Sequence, residues 1–211
     1  MKLFIDTGSV GEVEELAPWG ALSGATTNPS LLAREGSSPA ATIRRICELL
    51  DGPVSAEAVS DNPRELVAQG RGLAATRELV EDGIRVNMTL VFSAAQALLS
   101  AEAGATYISC FIGRLDDIGQ DAGSALAEVI ATLRSAESRP QVLAASIRSA
   151  RHAVEAAKLG ADVATIPAAV LRQMTTHPLT VAGIERFTRD WAAEPALAAW
   201  LREIAGTVPA A

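Results

Sequence analysis

The stretch EDGIRVNMTLVFSAAQALL, residues 81–99, contains a glycine, a strand-like run and a helical run in that order. Residues 84–92 are rich in the β-branched and apolar side chains that favour a strand, and the alanine-rich residues after Ser93 favour a helix. Gly83 stands directly before the strand, where glycine suits the left-handed conformation that often ends a helix. The stretch therefore predicts one strand–helix unit, preceded by the end of another helix.

The same unit recurs along the chain. Strand-like runs, each followed by a longer run with helical periodicity, occur at residues 3–6, 24–28, 54–59, 84–92, 106–112, 141–147 and 162–166. After the second run, Ile46 and Cys47 fall on one apolar face while Arg44 and Arg45 lie elsewhere. This alternation predicts parallel strands, because parallel neighbours need a crossover connection.

Two parallel architectures fit the alternation, an open doubly wound sheet and a closed barrel. The glycines of DTGSVGEVEEL, after the first strand, do not form the G-x-G-x-x-G pattern of a dinucleotide site. Polar residues instead stand at or near the ends of strands throughout the chain, namely Asp6, Asn28, Glu57, Thr89, Arg114, Arg148 and Thr165. A ring of polar strand ends is how a barrel builds its active face. We therefore predict an α/β fold, a (β/α) TIM-type barrel, with seven recognisable strands where eight are usual.

The composition restricts the binding partners that we expect and the cellular compartment. A net charge of −7 on 211 residues argues against a nucleic-acid partner. No apolar run approaches the roughly 18 residues of a membrane span, and MKLFIDTGSV reaches Asp6 too early for a signal peptide. Cys47 and Cys110 are too few for a disulfide framework, so we expect buried, reduced thiols and a cytoplasmic setting.

Asp6 and the nonamer GATTNPSLL, residues 24–32, supply the first candidate site residues. Asp6 ends the first strand, where two roles are open: capping of the next helix, or chemistry at the barrel mouth. Pro29 restricts Asn28 to an extended conformation, so the chain turns there. We expect this turn to hold Thr27 and Asn28 at the mouth.

Polar side chains inside apolar strands supply the next candidates. Glu57 lies in PVSAEAVS, and a carboxylate there must be paired, protonated or facing a polar cavity, of which we favour the cavity. Asn87 and Thr89 are two residues apart and so belong on one side of their strand. The same spacing relates Ser109 to Phe111.

Two arginines follow consecutive strands, Arg114 in FIGRLDD and Arg148 in AASIR, which also contains Ser146. Each could form an ordinary surface ion pair, but two together favour an anionic ligand such as a phosphate. His152 and His177, the two histidines, lie in helical contexts without a carboxylate at ligand spacing. We therefore expect no metal and no cofactor, and the absence of a G-x-S-x-G elbow argues against serine catalysis.

The motifs FIDT, GATTNPSLLA, VSAE, VNMTLVFSAAQALL, FIGRLDD, AASIR and HPLTVAGIERFTRDW together resemble the transaldolase family. The likeness is closest to its short bacterial and archaeal members, which include fructose-6-phosphate aldolases, and covers roughly residues 1–191. It implies one barrel domain over 1–191 and a role in the pentose phosphate pathway; residues 192–211 follow as a tail with helical spacing. In that family a lysine forms a Schiff base with a ketose phosphate, and a dihydroxyacetone unit then passes to an aldose phosphate. The protonated imine is the electron sink that C–C cleavage needs.

The resemblance also implies roles for individual residues. Asp6 resembles the family's acid/base aspartate, and Glu57 and Thr89 resemble the pair that holds the catalytic water. Substrate binding would fall to Thr27, Asn28, Asn87, Ser109, Phe111, Arg114, Ser146 and Arg148, the last three in the phosphate subsite. Glu57 and Phe111 match transaldolases, because the aldolases tend to carry glutamine and tyrosine there.

One segment departs from the family. Between the third strand and IRVNMTL the family has a helix, a strand like VVVKIP with the catalytic lysine, and a helix, whereas this chain has only helical sequence around GRGLAATREL, residues 70–79. Lys2 and Lys158, the two lysines, lie at the start of the first strand and in the helix before the last strand. Either a seven-stranded closed barrel or a barrel with one vacant place is then possible.

Three hypotheses follow from this departure. The native protein could hold a lysine strand that this chain omits; the chain could be a non-catalytic sugar-phosphate-binding or regulatory relative; or it could use Asp6 and Glu57 as an acid/base pair. The tail places Leu197, Trp200, Leu201 and Ile204 at helical spacing, which suits either a helix closing its own barrel or one packing on a second subunit. The resemblance favours a homo-oligomer that binds sugar phosphates.

Overall fold

A computed structural model describes residues 1–36, 38–57, 79–134, 139–194, 196, 199–200 and 203. Its strands are β1 (Lys2–Asp6), β2 (Leu22–Thr26), β3 (Val54–Ser55), β4 (Asn87–Val91), β5 (Tyr107–Phe111), β6 (Gln141–Ala145) and β7 (Val163–Pro167). Each strand lies in or overlaps one of the seven runs predicted from the sequence. The segment GRGLAATREL lies outside the described residues except for Leu79.

All seven strands pair in parallel in the order β3-β2-β1-β7-β6-β5-β4. The sheet curls into a nearly closed barrel with helices around it, which confirms the predicted TIM-type fold. Among the described residues β3 and β4 are the two ends of the sheet. The sequence predicts a family strand missing at this same position, between the third strand and IRVNMTL.

The helices are α1 (Val10–Leu16), α2 (Pro29–Arg34), α3 (Pro39–Leu49), α4 (Ala94–Glu102), α5 (Ile112–Asp117), α6 (Ala122–Leu133), α7 (Ala150–Leu159), α8 (Ala168–Met174) and α9 (Pro178–Ala193), with a 3₁₀ turn at Ala17–Trp19. Ser93, Asp121 and Ser149 each accept a hydrogen bond from the backbone N–H three residues on. These side chains satisfy N–H groups that the first turn of a helix leaves without partners. Gly160 ends α7 in the left-handed conformation that glycine adopts readily at the end of a helix.

Alternate strand residues face two separate apolar layers. Ile5, Ile108 and Ala144 belong to the large cluster between the strands and the helices. Phe4, Tyr107, Leu143, Ala145 and Val163 form a smaller cluster without helix residues, which fills the inside of the barrel. The same period of two places Asp6 on the inner side, two residues beyond Phe4.

The chain divides into two compact units, Met1–Leu171 and Arg172–Ala211. The first contains the sheet. The second contains α9, whose first turn is capped by His177: its Nδ1 atom accepts the Leu179 N–H at 3.2 Å. Most of the predicted tail, 192–211, lies outside the described residues, and the boundary at residue 191 stays a prediction. No helix in the described part of the chain is long and apolar enough to cross a membrane.

The structure corrects one prediction about cysteine. Cys110 is buried, and burial raises the pKa of its thiol to about 11, but Cys47 is exposed. On α3 the buried positions are Thr42 and Ile46, one turn apart, and Cys47 lies off that face. The prediction for Cys47 was wrong because successive residues of an α-helix point about 100° apart, so Cys47 does not share the core-facing direction of Ile46.

Candidate functional site

Asp6 lies where β1 ends, between β2 and β7. The Thr26 hydroxyl donates a hydrogen bond to Asp6 Oδ1 at 2.8 Å, and Thr26 Oγ1 lies 2.6 Å from Thr165 Oγ1. Each hydroxyl carries one proton. Because the Thr26 proton goes to Asp6, Thr165 must donate to Thr26, and the three side chains form a directed chain across three strands.

The pKa of Asp6 is raised above its ordinary value of 3.8. Burial is the largest cause, since it disfavours the charged carboxylate, and the hydrogen bond from Thr26 offsets part of that effect. Thr7 stabilises the turn before α1, because its Oγ1 atom accepts a hydrogen bond from the Ser9 N–H at 2.9 Å. This contact leaves the carboxyl group of Asp6 bonded to Thr26, and its role in chemistry at the barrel mouth stays a prediction.

Asn87 and Ser109 meet inside the barrel as neighbours on β4 and β5. The Ser109 hydroxyl donates to Asn87 Oδ1 at 2.8 Å, and Asn87 Nδ2 donates to Ser55 Oγ at 3.2 Å. The second bond joins the two ends of the sheet through side chains. A cavity of about 440 Å³ lies beside it, lined by Phe4, Pro53, Val54, Ser55, Ala56, Leu79, Ile84, Arg85, Val86, Asn87, Tyr107 and Leu143.

Thr89 lies in an irregular part of β4. Leu90 has a φ of +56°, and the pairing of β4 with β5 shifts between Met88 and Val91. A non-glycine residue in this conformation costs of order 1–3 kcal/mol and often marks a functional site. The simple alternation that predicted Asn87 and Thr89 on one face is interrupted at this point.

Phe111 and Arg114 form a contact at the end of β5. The Arg114 guanidinium carbon lies 5.0 Å from the centre of the Phe111 ring, and Phe92 packs against the same ring at 6.0 Å. A cation over an aromatic face is attracted by the ring quadrupole. Phe111 also packs on the inner apolar cluster. It therefore links the barrel interior to the charged group above it.

Arg148 is held beside Ser146 and α5 at the end of β6. Its Nη2 atom donates to Asp117 Oδ2 at 2.8 Å, and its Nε atom lies 3.4 Å from Ser146 Oγ. Ser146 has a φ of +59°, again a strained conformation for a non-glycine residue. Gly113 permits this arrangement, because a Cβ there would overlap the Ser146 carbonyl oxygen and lie 2.8 Å from Arg148 Nε.

Thr27 and Asn28 use part of their side chains in the local fold. The Thr27 hydroxyl donates to the Ser55 carbonyl at 2.9 Å and so supports the short strand β3. Asn28 Oδ1 accepts the Leu31 N–H at 3.0 Å and caps α2. Glu57 is half-buried and follows β3 by two residues, directly before a segment outside the described residues. The substrate contacts predicted for Thr27 and Asn28, and the catalytic water predicted for Glu57, stay predictions.

Neither lysine lies at the end of the barrel that carries Asp6. Lys2 is exposed at the start of β1, and Lys158 is exposed in the last turn of α7. In the described residues no group of three His, Cys, Asp or Glu side chains is arranged to hold a metal ion. His152 does have an acidic partner that the sequence did not indicate, because its Nε2 atom lies 3.2 Å from Asp116 Oδ2.

These features define a parallel (β/α) barrel with an inner carboxyl group and two arginines at the carboxyl ends of its strands. A sequence model of the family Transaldolase/Fructose-6-phosphate aldolase matches residues 3–76 and 68–201. The chain therefore belongs to the transaldolase/fructose-6-phosphate aldolase family. This confirms the resemblance seen in the motifs.

Curated relatives agree with this family. A probable transaldolase of Caldicellulosiruptor saccharolyticus is 46% identical over 214 residues, covering 92% of this chain and 99% of the relative. A probable transaldolase of Roseiflexus castenholzii is 48% identical over 212 residues, with coverage of 92% and 98%. One from a strain of Thermus thermophilus is 46% identical over 218 residues, with coverage of 90% and 98%.

Solved structures with low sequence identity share the fold. The N-acetylmannosamine-6-phosphate 2-epimerase from Clostridium perfringens matches with a TM-score of 0.55 and 14% identity over 89% of this chain and 92% of that one. A thiamine phosphate pyrophosphorylase from Pyrococcus furiosus matches with a TM-score of 0.54 and 19% identity over 80% and 86%. At such identities the similarity shows the architecture alone.

Proposed function

We propose that this chain binds a ketose phosphate at the barrel mouth, with the phosphate at Arg114 and Arg148 and the carbonyl end near Asp6. One observation carries the proposal: a half-buried carboxyl group and two arginines lie at the same end of one parallel barrel. The names of the family and of its probable transaldolases point to sugar phosphates as the class of ligand.

The phosphate would lie between two guanidinium groups that the protein already holds in place. Arg114 lies over Phe111, and Arg148 is held by Asp117 and Ser146. A guanidinium group has five N–H donors in a planar fork, so Arg148 keeps donors for a ligand while it contacts Asp117. Both side chains of this ion pair are more than half exposed, and such a pair contributes little to stability.

The carbonyl end of the sugar would meet Asp6. A raised pKa brings a carboxyl group closer to the pH at which it can both donate and accept a proton. Thr26 and Thr165 orient that carboxyl group, since each contributes its single proton to the chain that ends at Asp6. Asn87 and Ser109 would hydrogen-bond the sugar hydroxyls, and Glu57 and Thr89 would hold a water molecule.

We further propose that this chain forms no imine with its ligand, because Lys2 and Lys158 are remote from Asp6. Two facts indicate that this chain lacks a segment that its relatives have. The family model matches in two segments that overlap at residues 68–76. The alignment with the Caldicellulosiruptor protein is 214 residues long although it uses 92% of a 211-residue chain, so that relative has residues without a counterpart here. Peptide mapping of the natural protein tests this difference, and an additional segment with a lysine would contradict it.

A second candidate function is a proton-transfer reaction on a phosphorylated substrate, with Asp6 and Glu57 as the two carboxyl groups. The raised pKa of Asp6 favours it, because a carboxyl group that takes up a proton more readily than usual can serve as a general acid. Exchange of a substrate C–H proton with deuterated water, observed by proton NMR, would support this function. Asp6→Asn should abolish such exchange.

Calorimetric titration with fructose 6-phosphate, inorganic phosphate and fructose tests the proposed binding. We expect both phosphate compounds to bind, and we expect Arg114→Ala and Arg148→Ala each to weaken their binding about tenfold or more, as one lost charged hydrogen bond predicts. Lys2→Ala is the matched control, since it removes a positive charge at the other end of β1. Absence of binding by the parent protein, or equal binding by all three variants, would contradict the proposal.

A further inference from the structure

His152 makes a contact with each of its ring nitrogens, and the two contacts reach different elements. Nδ1 accepts the Arg148 backbone N–H at 3.3 Å, and Nε2 lies 3.2 Å from Asp116 Oδ2. The side chain is 21% exposed. A neutral imidazole with its proton on Nε2 satisfies both contacts at once, because Nδ1 then accepts and Nε2 donates.

The backbone around His152 is fixed by a helix start. His152 lies in the first turn of α7, and its N–H donates to the hydroxyl of the N-cap residue Ser149 at 3.2 Å. This cap holds the first turn in position and therefore directs the imidazole ring back towards Arg148 and α5. From α7, His152 thus contacts both Arg148, in the segment after β6, and Asp116, in α5.

The two contacts of His152 connect the backbone of Arg148 to the helix that contains Arg114. Asp116 is in α5, two residues beyond Arg114, and the Arg148 guanidinium contacts Asp117 of the same helix. Arg148 is therefore held to α5 twice, at its side chain by Asp117 and at its backbone through His152 and Asp116. If His152 is lost, the contact of the Arg148 guanidinium with Asp117 remains, but the second link between Arg148 and α5 is removed.

We propose that His152 is a positioning residue that sets the spacing between Arg114 and Arg148 by joining Arg148 to Asp116. The inference rests on the proposed function, in which these two arginines bind one phosphate group. His152 itself does not contact the ligand. It acts by fixing the distance between two cations, and an anion bound by both is sensitive to that distance because each hydrogen bond has a narrow range of length and angle.

Calorimetric titration of a variant series with inorganic phosphate and fructose 6-phosphate tests the inference. We expect His152→Ala to weaken the binding of both compounds by roughly three- to tenfold, which is the effect of one hydrogen bond. His152→Asn should recover part of the loss, because its carboxamide can accept the Arg148 N–H where Nδ1 stood. Arg151→Ala is the matched control from the same helical turn: its side chain is 84% exposed and pairs with Glu155, so we expect the parent affinity.

A second readout separates positioning from general support of the fold. Long-range ¹⁵N–¹H NMR spectra of the parent protein should show the His152 proton on Nε2, and phosphate should sharpen or shift those signals without a direct contact. Thermal unfolding should show His152→Ala and Arg151→Ala within a few degrees of each other. A folded His152→Ala variant with the parent affinity overturns the inference and leaves the proposed function intact. A parent protein that binds neither compound overturns both.

Discussion

The side-chain amide of Asn87 donates a hydrogen bond to the hydroxyl of Ser55, 3.2 Å away, and so joins the two ends of the seven-stranded sheet. The other end of the same amide accepts a hydrogen bond from Ser109. Asn87 is thus the centre of a polar bridge that runs from β3 through β4 to β5. The bridge spans the place where the sequence comparison with the family predicts an additional strand.

The bridge predicts graded losses of stability. Asn87→Ala removes two hydrogen bonds and should lower the free energy of unfolding by about 2 kcal/mol, whereas Ser55→Ala removes one and should cost about 1 kcal/mol. Urea unfolding followed by circular dichroism measures both. Equal stability of the two variants and the parent would show that the bridge does not support the barrel.

The pKa of Asp6 should depend on Thr26. The hydrogen bond from Thr26 lowers that pKa against the larger, opposite effect of burial. Thr26→Val keeps the side-chain shape and removes the donor, so the pKa of Asp6 should rise further above 3.8. Carbon-13 NMR of the Asp6 carboxyl group against pH measures this directly. Thr26→Ser keeps the donor and is the control; a lower pKa in the valine variant would contradict the assignment.

The raised pKa of Asp6 also predicts how stability varies with pH. Between the ordinary value of 3.8 and the higher folded value, the folded state binds more protons than the unfolded state, so the free energy of unfolding falls as pH rises. Asp6→Asn removes this contribution. The stability difference between variant and parent should therefore shift in favour of the variant as pH rises from about 4 towards neutrality.

Urea unfolding at a series of pH values tests this expectation, because every other titrating group is common to both proteins. Stability curves that stay parallel from acid to neutral pH would show that Asp6 titrates at its ordinary value in the folded protein.

Gly113 should be intolerant of a side chain. Gly113→Ala places a methyl group against the Ser146 carbonyl and the Arg148 side chain. We expect a loss of about 1–3 kcal/mol of stability, as overpacking predicts, together with weaker phosphate binding. Gly123→Ala in α6 is the control, since its nearest contact would be Asp121 Oδ1 at 3.4 Å. It should be neutral or slightly stabilising. Wild-type stability and phosphate affinity in Gly113→Ala would contradict the described packing around Arg148.

The fold could be predicted because its signals are local. Strand-like runs, helical runs and glycines before strands repeat along the chain, and parallel pairing follows from the crossovers they require. The predicted strand ends differ from the observed ones by a few residues. For β4 the predicted run begins at residue 84, whereas the strand begins at Asn87. Burial was less predictable: Thr42 is buried and Cys47 is exposed, because position on the helix decides burial and hydrophobicity is only a guide to it.

The candidate site could be predicted in its residues and less in its contacts. Period-two alternation is enough to place Asp6 inside the barrel, and the end of a strand is enough to place Arg148 at the mouth. The contact of His152 with Asp116 was missed because it joins residues 36 positions apart on separate helices. The donor direction from Thr165 through Thr26 to Asp6 also depends on distances across three strands.

The central claim is that this chain binds a ketose phosphate without forming an imine on its own lysines. Borohydride reduction in the presence of saturating fructose 6-phosphate, followed by mass spectrometry of the intact protein, tests it most directly, with a lysine-dependent aldolase treated in parallel as the reagent control. We predict calorimetric binding of the sugar phosphate and an unchanged protein mass after reduction. A reduced sugar adduct on Lys2 or Lys158 would contradict the claim.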